Sequence, residues 1–345
     1  MIWLTWRQLR GSAVATAAAL VALTAALALT GQDLATRYAT GIAACTPNNT
    51  CDRFFDRFFQ DHETPFLATT LVVVALPALV GLFWGAPLIT RELEAGTHLL
   101  VWNQSITRTR WLAVKLVFTG LAAVIATGLA GLVVTWWSDP LDKSAPVGEG
   151  LMEPLVFGAR GVVPMGYAAF AFVLGLTVGM LVRRTLPAMA LTLVVFAAIQ
   201  LAVPLLVRAH LMPAVTGTFE ISTANVEGIG TSPSLGTRLF MKPVVPGHIG
   251  AWVLSSHLVD PSGRVALGSE GAPVSVSTTS GPCAPGAGGF AGCAVELNRL
   301  GYRQQATYQP LERFWPFQWM ELGLYAVLTL GLTWFSFWWV RRRLS

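Results

Sequence analysis

The chain has 345 residues, of which 54% are hydrophobic and only 12% charged, and it carries a net charge of +5. That is too little charged surface to cover a water-soluble core of this size. A soluble globular protein is excluded, and an integral membrane protein is the class that remains.

Taken in chain order, the first stretch, MIWLTWRQLR, alternates Trp and Leu with Arg and Gln and reads as an interfacial helix over residues 1–11. Six uncharged runs follow that approach the roughly 20 apolar residues of a bilayer crossing: 12–30, 66–89, 116–137, 161–182, 186–207 and 322–340, the last within a terminal segment 318–345 that ends in a basic tail. The first run has Arg7 and Arg10 ahead of it and Ala26-Leu27-Ala28 near its end, as a secretory signal does. It is longer than the roughly 7 to 15 residues of a signal core and is read as a span. In the loop 31–65, CDRFFDRFFQDHE repeats Asp-Arg-Phe-Phe, which predicts a short amphipathic helix lying on the outer interface. A second outer loop, 138–160, is rich in Pro, Gly and acids, whereas runs four and five are joined by only Arg183, Arg184 and Thr185. The stretch 208–317 is the one place for a folded domain outside the membrane. There GTFEIS, AWVLSSHLVD and APVSVSTTS alternate in polarity between Gly and Pro residues, which predicts a small, mainly β extracellular domain.

An even number of spans puts both termini on one side, and the basic residues say which. With the termini inside, the inner segments hold eleven Lys and Arg, from Arg7 and Arg10 through Arg91, Arg108, Arg110, Lys115, Arg183 and Arg184 to Arg341, Arg342 and Arg343, against two acids, Glu92 and Glu94. Cytoplasmic termini follow from the positive-inside rule. The basic surplus reads as topology and contact with anionic inner-leaflet lipid, with no call for nucleic acid. The four cysteines agree with this orientation. Cys45 and Cys51 fall in the first outer loop, Cys283 and Cys293 in the last, and each pair closes a short loop, so two local disulfides are expected. Zinc is the rival for four cysteines, but there is no Cys-x-x-Cys pair and no His close by, so no metal is expected.

Several functional classes lack their residues. The six runs have no ionisable residue near their middles, so an ion-coupled transporter is disfavoured. Lys115, Arg160, Arg183, Arg184 and Glu321 sit at run ends, where they are expected to snorkel to water. Nothing resembles a channel filter. There is no Gly-x-Ser-x-Gly elbow or His-Glu-x-x-His pair, and His62, His98, His210, His248 and His257 are scattered. Ser255, Ser256, His257 and Asp260 read as ordinary strand and turn chemistry, and GPCAPGAGGFAGC as a disulfide-closed surface loop. The three lysines, Lys115, Lys143 and Lys242, do not follow Gly in a Walker pattern, so this chain binds no cofactor and any ATP is handled elsewhere.

The segment between runs two and three, TRELEAGTHLLVWNQSITRTRWLAVK, is the informative one. Thr90 is expected to cap a helix whose first turn carries Glu92 and Glu94, where acids suit the helix dipole. Gly96 and Thr97 break it, and Arg108, Arg110 and Lys115 lead into the next span. Such a segment has the makings of a docking element. It resembles the Arg-Glu-x-x-x-Gly-Thr pattern, followed by Ser/Thr-Arg and a Lys at the next span, of ABC-2 type permeases, the membrane subunits of many bacterial ABC exporters. The amphipathic start, six spans, inner termini and large outer loop between spans five and six resemble the ABCG class of that family. RRTLPAMA, ERFWPFQWMELGLY and WWVRRRLS look like an actinobacterial branch.

The resemblance implies that 90–115 is a coupling segment, with Arg91, Glu92, Glu94, Gly96 and Thr97 at the interface with a cytoplasmic ATPase subunit that holds ATP and Mg. Asn103-Gln104-Ser105 departs from the Leu-Pro-Ser-like sequence of many relatives. It further implies a homodimer in a bacterial plasma membrane that exports a drug, antibiotic, peptide or lipid-like substrate by alternating access. Gly120, Gly128, Gly131, Gly175 and Gly179 permit close helix approach, within one chain or between two. A membrane-anchored sensor or immunity protein, binding a ligand through 208–317 without transport, is the alternative.

Overall fold

The structure, a computed structural model, describes residues 2–45, 50–96, 107–146, 148–232, 236–266, 271–284 and 290–343. The chain divides into a helical unit, Met1–Pro146, Glu153–Leu211 and Trp315–Ser345, and a second unit, Val147–Met152 and Met212–Phe314. The helical unit therefore reaches four residues past the expected boundary at 208, and its last helix joins three residues before 318.

Helix α1 runs unbroken over Ile2–Ala44. The segment 1–11 is read from sequence as a separate interfacial helix; from Ile2 onward it is continuous with α1, because the alanine-rich stretch after Gly11 favours helix and no proline interrupts. Helix α2, Thr50–Gln60, is strongly amphipathic as the Asp-Arg-Phe-Phe repeat predicts. Its aromatic face meets protein: Phe58 and Phe59 are buried, and the Phe58 ring lies 5.5 Å from that of Tyr38 on α1. Cys45 and Cys51, between α1 and α2, are at disulfide distance, with Cα atoms 5.1 Å apart.

The second crossing helix is α3, Glu63–Val80, continued through a π-helical turn, Gly81–Gly85, into α4, Ala86–Glu94. Within the turn the Ala86 N–H donates to the Gly81 carbonyl, one residue further than an α-helix reaches. Then come α5, Arg108–Ser144, the short α6, Pro154–Phe157, and α7, Val163–Val182. Helix α8, Thr185–Ala202, passes through a second π segment, Val203–Arg208, into the single turn α9, Ala209–Leu211. Among the described residues six helices are long and apolar enough to cross a membrane: Val14–Ala44, Glu63–Glu94, Arg108–Ser144, Val163–Val182, Thr185–Leu211 and Leu311–Arg342. Of the most apolar stretch of α7, 78% is buried, against 11% for the first crossing, so α7 is the axis the others pack around.

Glycine sets how closely they pack. Gly81 and Gly85 of the π turn face Gly175 and Gly179 of α7, so each helix contributes a Gly-x-x-x-Gly pair to one crossing. A Cβ at Gly85 would stand 2.5 Å from the Phe172 carbonyl oxygen, and one at Gly179 would stand 2.8 Å from that of Ala86. Gly120 meets the Phe172 ring and Gly128 meets Met165, so these glycines also serve packing inside the chain.

The second unit is built from β1 Val215–Phe219, β2 Val226–Ser232, β3 Gly236–Met241, β4 Trp252–Val259, β5 Val265–Ala266, β6 Ala272–Pro273 and β7 Arg303–Gln309, with α10, Phe290–Arg299. Two antiparallel sheets, ordered β1-β7-β4-β5 and β2-β3-β6, contribute Leu258, Val226 and Leu239 to a core shared with Leu297 of α10. Cys283 and Cys293 are at disulfide distance, with Cα atoms 4.5 Å apart, and pin the start of α10. The last crossing helix, α11, spans Phe314–Arg342.

The glycine crossing is bounded by backbone on both sides, which cannot swing away. Gly175→Ala is expected to destabilise the protein by about 1 to 3 kcal/mol, the usual cost of overpacking. Gly331→Ala on the open face of α11, where a Cβ meets nothing within 4 Å, is expected to be neutral or slightly stabilising. Thermal denaturation of the two variants in one detergent makes the comparison.

Candidate functional site

Where α4 ends and α5 begins, the chain places charge in a position that helix electrostatics oppose. Thr90 does not cap a helix start: it is buried inside α4, its hydroxyl donating to the Ala86 carbonyl at 3.0 Å. The expected helix start at Thr90 is absent because α3 and α4 continue through the π turn, so Glu92 and Glu94 lie in a last helical turn, where acids are disfavoured by the dipole. Each has a compensating partner on another helix.

Glu92 points inward. Its Oε1 lies 2.5 Å from Lys115 Nζ on α5, with side chains 10% and 3% exposed, and its Oε2 accepts a hydrogen bond from the Trp111 indole N–H at 3.1 Å. Lys115 also donates to the Leu88 carbonyl of α4 at 3.2 Å, and its ammonium stands 5.0 Å over the Trp111 ring. Lys115 therefore does not snorkel to water as its place at a run end suggested. Around this pair, Ile89, Trp111, Leu112, Phe172, Leu176, Met180 and Val340 form one apolar cluster, tying the ends of α4, α5, α7 and α11 together.

Glu94 points sideways, to the start of α8. The Thr185 N–H donates to Oε1 at 2.8 Å and the Thr185 hydroxyl to Oε2 at 2.7 Å, while Thr185 Oγ1 is 2.9 Å from Thr90 Oγ1. An acid at the end of one helix thus caps the start of another, where its charge is favourable. The α7–α8 link is tight enough to present Thr185 there because Arg183 ends α7 in the left-handed region, at φ 56°.

The predicted site residues therefore divide. Glu92 is buried and Glu94 is engaged by Thr185, whereas Arg91 is exposed. Gly96 turns the chain at φ 65°, a conformation that suits glycine, and has open space around it. Thr97 lies outside the described residues. Arg110, Arg183, Arg184, Arg341, Arg342 and Arg343 are also exposed at this end of the helices.

The opposite end holds buried charges of the same kind. Arg208, with no exposed side-chain surface, donates to both carboxylate oxygens of Glu321 at 2.7 and 2.9 Å. Tyr167 donates to Glu321 at 2.5 Å, and the guanidinium lies 4.0 Å from the Phe157 ring centroid. Arg160, likewise buried, donates to Asp142 at 3.1 and 3.3 Å. Gln318 accepts from the Val162 and Val163 N–H groups, both at 3.0 Å, and so caps α7. Glu321 and Arg160 were expected to reach water, and they are instead buried because each finds an opposite charge on a neighbouring helix or its flank. The available signal was the acid-rich stretch before Arg160, with Asp139, Asp142, Glu149 and Glu153, but nothing in the spacing identified which acid it meets.

A family model described as ABC-2 membrane transporter related matches residues 17–208, a stretch that contains the Glu92, Glu94, Lys115 and Thr185 cluster. No curated protein and no solved structure matches the chain.

Removing one member of the buried pair leaves the other charge without its counter-ion. Lys115→Met is expected to cost about 3 to 5 kcal/mol, and the double variant Glu92→Leu/Lys115→Met to recover most of it. Unfolding of all four proteins of this cycle in one detergent measures the coupling.

Proposed function

The chain belongs to the ABC-2 membrane transporter related family, and from that premise we propose that this permease is the membrane half of an ATP-driven exporter. In this reading two copies meet along their spans, and a separate cytoplasmic ATPase, holding ATP and Mg, grips the segment after the second crossing of each. ATP-driven closure tilts the helices and opens a path between protomers, outward, for a drug, antibiotic, peptide or lipid-like substrate. The termini and the arginine-rich helix ends face the cytoplasm of a bacterial cell, in keeping with the positive-inside rule, and 208–317 faces outward with its disulfide.

The observation that carries this reading is the way the segment is held. Glu92 joins α4 to α5 through Lys115, and Glu94 joins α4 to α8 through Thr185, so three crossing helices share one anchored end. A push on that end reaches all three. The two acids are then positioning residues, and docking falls to Arg91, Gly96 and Thr97. This differs from a set in which Glu92 itself meets a basic group of the ATPase, because its carboxylate is already engaged within the chain.

Affinity purification of the tagged chain from its native membrane in mild detergent tests the proposal. A Walker-motif ATPase is expected at comparable stoichiometry, and Arg91→Glu is expected to reduce its recovery about tenfold, a loss of about 1.4 kcal/mol. Recovery of the chain alone across several detergents, without ATPase activity, would overturn the exporter and point to a receptor role for 208–317.

A further inference from the structure

The first half of α1 stands away from its neighbours. Among its described side chains none before Leu27 is buried; Leu23 is half-buried against the core, and the buried positions that follow are Leu27, Gly31 and Leu34. The gap this leaves is a groove of about 360 Å³ that runs along α1 from Ala15 to Leu23 and along the second crossing helix from Val72 to Trp84, with Ala126 and Thr127 of α5 as its floor.

Three features specify what fits it. The lining is aliphatic and aromatic, with the hydroxyls of Thr16 and Thr127 and the indole N–H of Trp84 its only polar side-chain groups among the described residues, so no charged group is accommodated inside. The groove is long: at 1.5 Å per residue its α1 wall is about 12 Å and its opposite wall about 18 Å, dimensions of an extended hydrocarbon chain. The exposed Arg10 lies on α1 about 8 Å beyond Ala15, which sets a fixed positive charge past one end of the apolar trough. One wall is the π turn itself, which presents Phe83 and Trp84 to the groove while Gly81 and Gly85 pack on α7.

We propose that this groove holds one acyl chain of an anionic membrane amphiphile, with the headgroup at Arg10. The site stands on the chain's own residues and does not depend on an ATPase partner. Its occupant rests against the back of the turn whose front forms the glycine crossing, so a filled groove supports the crossing from behind.

The test uses the purified full chain in phosphatidylcholine nanodiscs containing a small fraction of phosphatidylglycerol with a diazirine on its acyl chain. Crosslinked positions are mapped by mass spectrometry. Labelling of 15–23 and 72–84 is expected to saturate with probe and to be competed by unlabelled phosphatidylglycerol, not by phosphatidylcholine. Ala126→Phe, or Leu76→Trp should the first variant fold poorly, is expected to lower groove labelling about tenfold and to leave labelling near the exposed Leu205 and Trp334 unchanged. Arg10→Gln is expected to abolish the headgroup preference. Labelling that rises linearly with probe, matches that at Leu205 and Trp334, and ignores the groove-filling variants would show ordinary lipid solvation and overturn the site. A headgroup preference that survives Arg10→Gln would overturn the anionic assignment.

Discussion

A carboxylate and an ammonium removed from water among apolar helices are costly apart and tolerable only together. This constraint organises the protein at both ends of its crossing helices. Glu92 with Lys115, Arg208 with Glu321, and Arg160 with Asp142 each join segments distant in sequence, and each gains further polar partners in Trp111, Tyr167 and Ser138. Between the ends the contacts are mainly steric, with hydrogen bonds between Thr177 and Ser336 and from Tyr325 to Gln200 among them. Such pairs do little for net stability when compared with apolar packing, yet they penalise any arrangement in which a partner is missing. They therefore specify which helix stands beside which.

The glycine crossing does in the middle what the ion pairs do at the ends. With lipid tails as apolar as leucine, helices gain from contact only by fitting closely. Gly81, Gly85, Gly175 and Gly179 bring two backbones together over one helical turn, and α7, buried along most of its length, becomes the part against which the others are referenced. Exposed faces of the π segment that continues α8 and of α11, with Leu205, Leu206, Val327 and Trp334, are left to lipid or to another chain.

Much of this architecture was readable from residue type alone. The six crossings follow from uncharged length, the β-rich region from period-two alternation, and both cysteine pairs from their short separations. What escaped was direction. Glu92 and Glu94 in the string TRELEAG look like the acidic first turn of a new helix, and only the uninterrupted α3–α4 path reveals a last turn instead. Lys115, Arg160 and Glu321 look like snorkelling charges until their partners are known, because pairing across 23 residues or 113 residues leaves no periodic trace. Among the site residues, the sequence pattern could not separate the inward Glu92 from the outward Arg91, which differ by one position on a helix whose phase was misjudged.

That phase is set upstream. The π turn at Gly81–Gly85 contains one residue more than an α-helical path would need, and an added residue rotates everything after it by about 100°. Glu92 meets Lys115, and Glu94 meets Thr185, only with that extra residue counted in. The turn acts as a vernier between two scales: the wide glycine face that seats the helix on α7, and the narrow acidic edge that must come to rest within hydrogen-bonding reach of two other helices. A homologous chain one residue shorter there would keep the same letters in RELEAG and aim them elsewhere.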